Sequence, residues 1–215
     1  MASNHSKVAI LIDGGFFKQR FKELNKSTNN KDNKTVTPQK KDVESLINDI
    51  MIKVQEKSGE TCKDVLFRTF YYDSMPFNKV LKRLDKKSEI DYSKSPVCLE
   101  QTKFIDSLRD IEQFALRLGE LSFSGWKLDA YNPKVKPKPD FRQKGVDMKI
   151  GLDMAWLSGK KTVDKIVLVT GDSDFISPIK LARREGILIY LHPMGQTQIK
   201  KSLTEHADFV FLSKL

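Results

Sequence analysis

Two short apolar runs, each leading into glycine and aspartate, constrain the fold more than any other feature of the sequence. Residues 7–12 read KVAILI and precede Asp13-Gly14-Gly15, and residues 165–170 read KIVLVT and precede Gly171-Asp172. Continuous runs of this length are typical of strands that are buried on both faces. Helical patterns alternate with further short apolar runs along most of the chain. This alternation predicts an α/β fold: a three-layer α/β/α sandwich with a mainly parallel central sheet.

Apolar spacing and turn residues predict the remaining elements. Asp42 is expected to be the N-cap of a helix over 43–58, which ends at Gly59. Gly119 is expected to cap the C-terminus of a helix over 104–118. The polar stretch 86–96 is expected to be irregular, and a further helix is expected to begin within 75–84. We expect helices over 16–24, 43–58, 104–118, 146–157, 175–184 and 202–206, and further strands over 65–72, 126–131, 187–191 and 209–212.

Length and charge indicate a single basic domain. The 215 residues include 38 Lys and Arg against 28 Asp and Glu, a formal net charge of +10. We expect one domain over residues 1–215, with a polar insertion at about 25–41 and a basic loop at about 132–145. A surplus of positive charge favours a polyanionic partner, and nucleic acid is the most abundant polyanion in a cell.

Several classes of protein are excluded by missing patterns. No apolar run approaches the roughly 18 residues that span a bilayer, so we expect a cytoplasmic protein. Cys62 and Cys98 have neither CxxC nor zinc spacing and are interpreted as ordinary thiols. A phosphate-binding GxxxxGK[ST] loop, a GxSxG elbow and an EF-hand loop are all absent. His192 and His206 have no catalytic partner nearby in sequence and are interpreted as structural.

Four aspartates are the candidate catalytic and metal-binding residues. Asp13, Asp172 and Asp174 follow strands directly, and Asp147 lies in the first turn of a predicted helix. The carboxyl ends of parallel strands meet at one edge of a sheet, so these side chains are expected to converge. Clustered carboxylates repel one another unless a cation compensates them, which suits Mg²⁺ or Mn²⁺. The alternative for each residue is a local role as a turn or helix cap.

A basic segment enters the chain just before Asp147. Residues 132–145 contain five basic side chains against one acid, Asp140, and three prolines that favour an extended backbone. Such a segment is suited to binding a phosphodiester backbone, while Phe141 and Tyr131 could stack on bases. The alternative is a solvated linker. The candidate nucleic-acid-binding residues are Lys134, Lys136, Lys138, Arg142 and Lys144.

The chain resembles the NYN domain family, a branch of the PIN-like nucleases. The matching strings are VAILIDGGFF at 8–17, KGVDMKIGLDMAWL at 144–157, VLVTGDSDFISPIKLARREG at 167–186 and SLTEHADFVFLSKL at 202–215. The resemblance implies a PIN-like fold and metal-dependent RNA cleavage, with Asp13, Asp147, Asp172 and Asp174 as the acidic site. Asp153 matches a recurrent acid of the family, but its offset along the helix favours a supporting role. Phe16 stands where many members carry Asn.

The leading hypothesis is a ribonuclease, a hydrolase that uses Mg²⁺ or Mn²⁺ to cleave RNA. The first alternative is an RNA-binding module on a nuclease fold with weak or no cleavage. A toprim-like or phosphatase-like metal enzyme fits less well, because the first strand ends in Asp13-Gly14-Gly15 rather than in a Glu or a D-x-D pair. The specific substrate and the oligomeric state are left open.

Overall fold

The fold is described from a computed structural model, which describes residues 5–26, 36–85, 87–128 and 137–211. Helices and strands alternate along most of these residues. In chain order they are β1 (His5–Asp13), α1 (Gly14–Lys26), α2 (Lys40–Ser58), β2 (Lys63–Ser74), β3 (Val80–Lys82), β4 (Glu89–Asp91), α3 (Pro96–Ser107), β5 (Phe114–Lys127), β6 (Lys138–Lys144), α4 (Val146–Gly159), β7 (Lys165–Val169), α5 (Ile176–Arg184), β8 (Leu188–Leu191), α6 (Lys201–Thr204) and β9 (Phe209–Val210).

The central sheet has seven strands in the order β6-β5-β2-β1-β7-β8-β9. All neighbouring pairs are parallel except β5 and β6, which are antiparallel. This arrangement confirms the predicted α/β fold with a mainly parallel sheet. The chain proceeds from β1 to β2 on one side and later returns to place β7 on the other side. The strand order therefore reverses between β1 and β7, which is where ligands bind in sheets of this kind.

Helices cover both faces of the sheet, which explains why β1 is apolar without alternation. Ala9 and Leu11 pack in the cluster that contains residues of α4 and α5. Val8, Ile10 and Ile12 pack in the opposite cluster, with residues of α1 and α2. All five side chains are fully buried. A strand buried on both faces can only occupy the middle of the sheet, so Asp13 at its end is held in the centre of the carboxyl edge.

The predicted helix over 104–118 is wrong in its second half. Helix α3 ends at Ser107, and residues from Phe114 onward belong to β5, which therefore begins twelve residues before the predicted strand at 126–131. Gln113 has a φ of 52°, and this left-handed residue turns the chain toward the sheet. Residues 114–119 then pair with residues 69–74 of β2. Gly119 is not a helix cap. It is a strand residue that the backbone of β6 approaches closely, since a Cβ there would lie 2.6 Å from the Lys144 carbonyl oxygen.

Other local predictions also need correction. No helix begins within 75–84, where the chain instead forms β3. Its partner β4 lies within the stretch 86–96, which is therefore not wholly irregular. Gln39, not Asp42, is the N-cap of α2, and the Asp42 carboxylate accepts a 2.7 Å hydrogen bond from the Gln39 N–H. The described part of the basic loop is strand β6 rather than a loop. The expected insertion is shorter than predicted, because residues 25–26 end α1 and residues 40–41 begin α2, while 27–35 lie outside the described residues.

Across the described ranges, none of the helices is both long enough and apolar enough to cross a membrane.

Candidate active site at the carboxyl edge of the sheet

The four predicted aspartates come from three elements that meet beside the reversal of strand order. Asp13 is the last residue of β1, and Asp172 and Asp174 follow β7. Asp147 is the second residue of α4, which begins after Gly145 with a left-handed φ of 77°. The charges of Asp172 and Asp174 raise the pKa of Asp147, and the charge of Asp147 helps raise that of Asp13. Asp147 is therefore within electrostatic reach of the other three carboxylates, and Asp13 is also within reach of Asp172.

Asp13 is the most buried of the four. Burial is the largest cause of its raised pKa, and the charges of Asp147 and Asp172 raise it further, while backbone N–H groups oppose the shift. Asp13 Oδ1 accepts a 3.1 Å hydrogen bond from the Phe16 N–H at the start of α1. Asp13 thus caps the following helix, as the alternative prediction expected, and this hydrogen bond also orients its carboxylate. Its other oxygen, Oδ2, accepts a long 3.4 Å contact from the Thr170 hydroxyl and still faces the edge.

Thr170 links the ends of β1 and β7. Its hydroxyl oxygen accepts a 3.2 Å hydrogen bond from the Asp172 N–H and donates toward Asp13. Asp172 in turn accepts a 3.0 Å hydrogen bond at Oδ1 from the Asp174 N–H, which caps the short 3₁₀ helix Ser173–Phe175. One oxygen of Asp172 is therefore used for local structure, and the other is available. Capping and ligand binding are compatible here, because each task needs a different oxygen.

Asp147 and Asp174 carry exposed carboxylates with no hydrogen-bond or ion-pair partner in the described part of the chain. Burial is the largest cause of the raised pKa of Asp147, followed by the charges of Asp172 and Asp174. None of the four aspartates forms an ion pair with a described cation. The edge thus carries excess negative charge that the described side chains do not compensate.

This donor set fits a divalent cation in its chemistry. All four groups are carboxylates, they repel one another, and oxygen ligands of this kind suit Mg²⁺ and Mn²⁺. The side chains are not drawn together, however: within the described ranges, no three His, Cys, Asp or Glu side chains stand close enough to hold one ion. Ligation would require the exposed side chains of Asp147, Asp172 and Asp174 to turn inward toward Asp13.

A cavity of about 430 Å³ opens beside Asp13 and Asp172. Helix α1 lines it with Phe16, Gln19, Arg20 and Glu23, and the loop after β8 lines it with Gln196 and Lys200. Sequence reasoning noted Phe16 but did not identify the others as site residues, because nothing in their local pattern distinguishes them from ordinary surface positions. Only the fold brings residues near 20 and residues near 200 to the same wall.

Gln143 is a second polar group that sequence reasoning missed. A Cβ atom added at Gly15 would lie 3.3 Å from Asp13 Oδ1 and 4.0 Å from Gln143 Oε1. The bare Gly15 backbone therefore leaves open the space between the two groups. The Phe16 ring offers no polar atom, whereas the Gln143 amide from β6 lies near Gly15, beside Asp13. Its position in the predicted basic segment was the only available signal.

Asp73 also lies at the carboxyl edge, at the end of β2, and was not singled out. Its carboxylate is 1% exposed and forms an ion pair with Lys18 of α1, with Nζ–Oδ2 at 2.7 Å and Nζ–Oδ1 at 2.9 Å. The rule that located the other acids at strand ends also applies to Asp73. Its charge is compensated, so it supports α1 instead of adding to the free carboxylates.

The basic residues of the predicted binding segment are only partly described. Lys138, Arg142 and Lys144 lie exposed on the edge strand β6, and Lys134, Lys136 and Tyr131 lie outside the described residues. Arg142 lies 3.6 Å from Asp140, which also binds Lys127 at 2.8 Å. Lys138 and Lys144 form no ion pair with any described residue. Their charges are therefore free for a polyanion.

Phe141 is packed rather than free for stacking. Its ring centroid lies 4.8 Å from that of Phe77 and 5.3 Å from that of Tyr92, and 6.1 Å from that of its cross-strand partner Phe123. These contacts fix the β3–β4 hairpin against the β5–β6 ribbon. The prediction that Phe141 stacks on a base is thus not favoured by its surroundings.

Asp153 points away from the acidic edge. Its Oδ2 accepts a 2.8 Å hydrogen bond from the Tyr72 hydroxyl and a 2.8 Å hydrogen bond from Arg117 Nε. These bonds join α4 to β2 and β5. Asp153 therefore fixes the helix that carries Asp147 and does not share its ligand space.

Comparisons with known proteins place the chain in a family. A search of curated proteins found no match. Among solved structures, a protein of unknown function from Vibrio parahaemolyticus is similar in fold, with a TM-score of 0.53 and 16% sequence identity over 98% of this chain and 94% of that one. The sequence profile of the NYN domain matches residues 7–213, nearly the whole chain. The predicted resemblance is thereby confirmed, and the chain belongs to the NYN domain family.

Proposed function

We propose that this protein is a divalent-metal-dependent ribonuclease that hydrolyses RNA phosphodiester bonds at Asp13, Asp147, Asp172 and Asp174. The observation that carries the proposal is that these four residues lie at one edge of the sheet, at the reversal of strand order. The pKa values of Asp13 and Asp147 are raised, and the described side chains provide no compensating cation. Family membership supports it, since NYN domains have a nuclease-like fold and are generally ribonucleases.

The four carboxylates would hold Mg²⁺ or Mn²⁺. When bound, such an ion would supply Lewis acidity for the activation of water and for neutralising charge on the phosphate. The chain itself orients the ligands. The N–H of Phe16 fixes Asp13, and the Thr170 hydroxyl keeps the ends of β1 and β7 in register. Asp13 and the ends of β1 and β7 are thus held before substrate arrives, whereas the exposed side chains of Asp147, Asp172 and Asp174 would still have to turn toward Asp13.

Strand β6 would hold the RNA backbone beside the acidic edge. Lys138 and Lys144 are exposed and unpaired among the described residues, and Arg142 has only the long contact with Asp140. Lys134 and Lys136 lie outside the described residues and stay predicted RNA-binding residues. Positive charge at the rim offsets the repulsion between the phosphates and the aspartates.

A second candidate is an RNA-binding module with weak or no cleavage. One observation favours it: among the described residues the carboxylates do not meet at one point, and those of Asp13 and Asp172 have capping roles that alone would account for them. In that case the basic strand would retain RNA without turnover.

The test incubates the purified protein with end-labelled single-stranded RNA, hairpin RNA and single-stranded DNA, each with Mn²⁺, Mg²⁺ or EDTA. Asp172→Asn is the informative variant, because an amide oxygen can still accept the Asp174 N–H while the charge is lost. Asp106→Asn is the matched control. Asp106 is exposed near the end of α3 and forms an ion pair with Arg109, which lies in the turn after this helix.

Metal-dependent cleavage that Asp172→Asn abolishes and Asp106→Asn retains would support the ribonuclease. RNA binding that is equal in all three proteins, with every substrate left intact, would instead favour the binding module. The salt dependence of that binding identifies the phosphate contacts: for single strands, each lost contact lowers the slope of log K against log salt by about 0.7. We expect Lys144→Ala to lower it by about that amount.

A further inference from the structure

The cavity beside Asp13 has preformed walls. Gly171 lets two of them meet: a Cβ there would lie 2.4 Å from Gln196 Oε1 and 2.8 Å from Phe16 Cε2. Any larger residue would push the Phe16 ring and the Gln196 amide apart. The glycine of the GDSD segment is therefore explained by this packing, and it gives the cavity one aromatic and one amide wall.

The far wall is also fixed, by Arg20. Its guanidinium forms an ion pair with Glu23, and its NH2 donates a 3.1 Å hydrogen bond to the Met194 carbonyl. Met194 is fully buried and has a left-handed φ of 49°, followed by Gly195 at 68°. These bonds tie α1 to the loop after β8. The cavity thus retains its shape without a ligand, which lowers the entropic cost of binding.

Lys200 supplies a free positive charge at the mouth. Its Nζ donates a 2.9 Å hydrogen bond to the Ser173 hydroxyl, between Asp172 and Asp174 in the chain. It forms no ion pair with any described carboxylate, whereas the neighbouring Lys201 pairs with Glu205 at 3.5 Å. Lys200 is therefore poised to bind an anionic group that lies against the acidic edge.

We propose that this cavity binds one nucleotide of the substrate strand, adjacent to the phosphate at the acidic edge. Lys200 contacts a phosphate oxygen, and the Phe16 ring receives the base. This inference rests on the proposed function, because it takes the strand at the four aspartates to be RNA. The volume of about 430 Å³ suits a ligand of nucleotide size.

The composition of the walls favours a nucleotide over a simple anion. Asp13 and Asp172 line the same cavity and repel any phosphate, so an anion that makes no other contact should bind weakly. A base on the Phe16 ring adds stacking that phosphate lacks, and stacking on an aromatic side chain is sequence-tolerant. A ligand with an aromatic portion and a single anionic group therefore matches the arrangement of the cavity.

The experiment titrates ¹⁵N-labelled protein with the four ribonucleoside 5′-monophosphates and with inorganic phosphate, in EDTA, and follows the backbone amide signals. We expect shifts at Gly171, Gln196 and Lys200, with inorganic phosphate binding at least tenfold more weakly. Lys200→Ala should weaken nucleotide binding about tenfold. Lys201→Ala is the matched control and should leave it unchanged.

Phe16→Leu should also weaken binding about tenfold, because leucine keeps an apolar contact with Gly171 but offers no ring for stacking. Lys200 lies on the surface, so Lys200→Ala tests the proposal even if Phe16→Leu fails to fold. The proposal is overturned if nucleotides leave these amide signals unmoved, if inorganic phosphate binds as tightly as they do, or if Lys201→Ala weakens binding as much as Lys200→Ala.

A parallel cleavage assay separates this inference from the proposed function. If wild-type protein cleaves RNA and Lys200→Ala cleaves it with an unchanged KM, the ribonuclease stands and the nucleotide site is refuted. If wild-type protein leaves RNA intact while Lys200→Ala selectively weakens nucleotide binding, cleavage is refuted and the nucleotide site is supported. An increased KM with a nearly unchanged kcat for Lys200→Ala supports both.

Discussion

His192 makes the stability of the fold depend on pH. It lies after β8, its side chain is fully buried, and its Nδ1 accepts a 3.3 Å hydrogen bond from the Met194 N–H. The proton of the neutral ring therefore resides on Nε2, which lies 3.7 Å from Asp49 Oδ2, too far for a hydrogen bond. Burial, the largest cause, and the nearby charge of Lys53 together lower the pKa of His192 from 6.5 to about 4, against an opposing effect of Asp49.

The sign of the effect follows from which state binds the proton. Between pH 6.5 and pH 4 the unfolded chain protonates this residue and the folded protein does not, so protonation favours unfolding. The stabilisation is complete above pH 6.5 and is lost as the pH falls toward 4. One pKa unit corresponds to about 1.4 kcal/mol, so His192 alone should remove about 3 kcal/mol of unfolding free energy across this window.

The assay is urea denaturation at several pH values from 7.5 to 4, for the wild type and for His192→Asn. Asparagine does not titrate in this range, and its side-chain oxygen can accept the Met194 N–H in place of Nδ1. Carboxylates titrate in both proteins, so the difference between the two curves isolates the histidine. We expect the wild type to lose about 3 kcal/mol more than the variant between pH 6.5 and pH 4. Parallel curves would refute the reasoning.

Three further substitutions and one control variant test how the fold is stabilised, each followed by urea denaturation. Asp64→Asn should cost about 3 to 5 kcal/mol, because Lys165 Nζ lies 2.5 Å from Asp64 and would be left as an unpaired buried charge. Gly119→Ala should cost about 1 to 3 kcal/mol through its clash with the backbone of β6. Gly159→Ala, where no atom lies within 4 Å of an added Cβ, is its control and should not destabilise the protein. Asp153→Asn should cost about 1 to 3 kcal/mol by weakening two hydrogen bonds, without changing the net charge at the acidic edge.

The acidic edge could be predicted from sequence because its geometry follows from local signals. A strand buried on both faces reads as a continuous apolar run, and the residue after it must lie at the carboxyl edge when the strands are parallel. Predicting where Asp13 and Asp172 lie therefore required only the positions of β1 and β7. Asp147 was predicted from a different signal, its place in the first turn of a helix; the structure shows that α4 begins directly after the chain returns to that edge along β6.

The middle of the chain could not be predicted in this way, because its structure depends on distant partners. Residues Phe114 to Leu118 satisfy helical spacing and strand alternation equally well over so short a stretch. Pairing with β2, more than forty residues earlier, decides between them. The left-handed turn at Gln113 gives no sequence signal, since glycine or asparagine is the usual residue at such a position.

The residues that could be predicted from sequence and those that could not are expected to have different chemical roles. The acids that would bind metal are fixed by strand ends, so any chain with this fold can present them without special side-chain packing. The cavity beside them depends on Phe16, Arg20, Gln196 and Lys200, which only tertiary structure brings together. Its walls come from a helix and a loop that can change without disturbing the buried strands. Cleavage chemistry should therefore be set by the sheet edge, and affinity for the RNA strand by Lys200 and its neighbours. Because a phosphate contact carries no sequence information, Lys200→Ala should raise the KM for different RNA sequences to a similar extent, while Asp172→Asn removes cleavage of all of them.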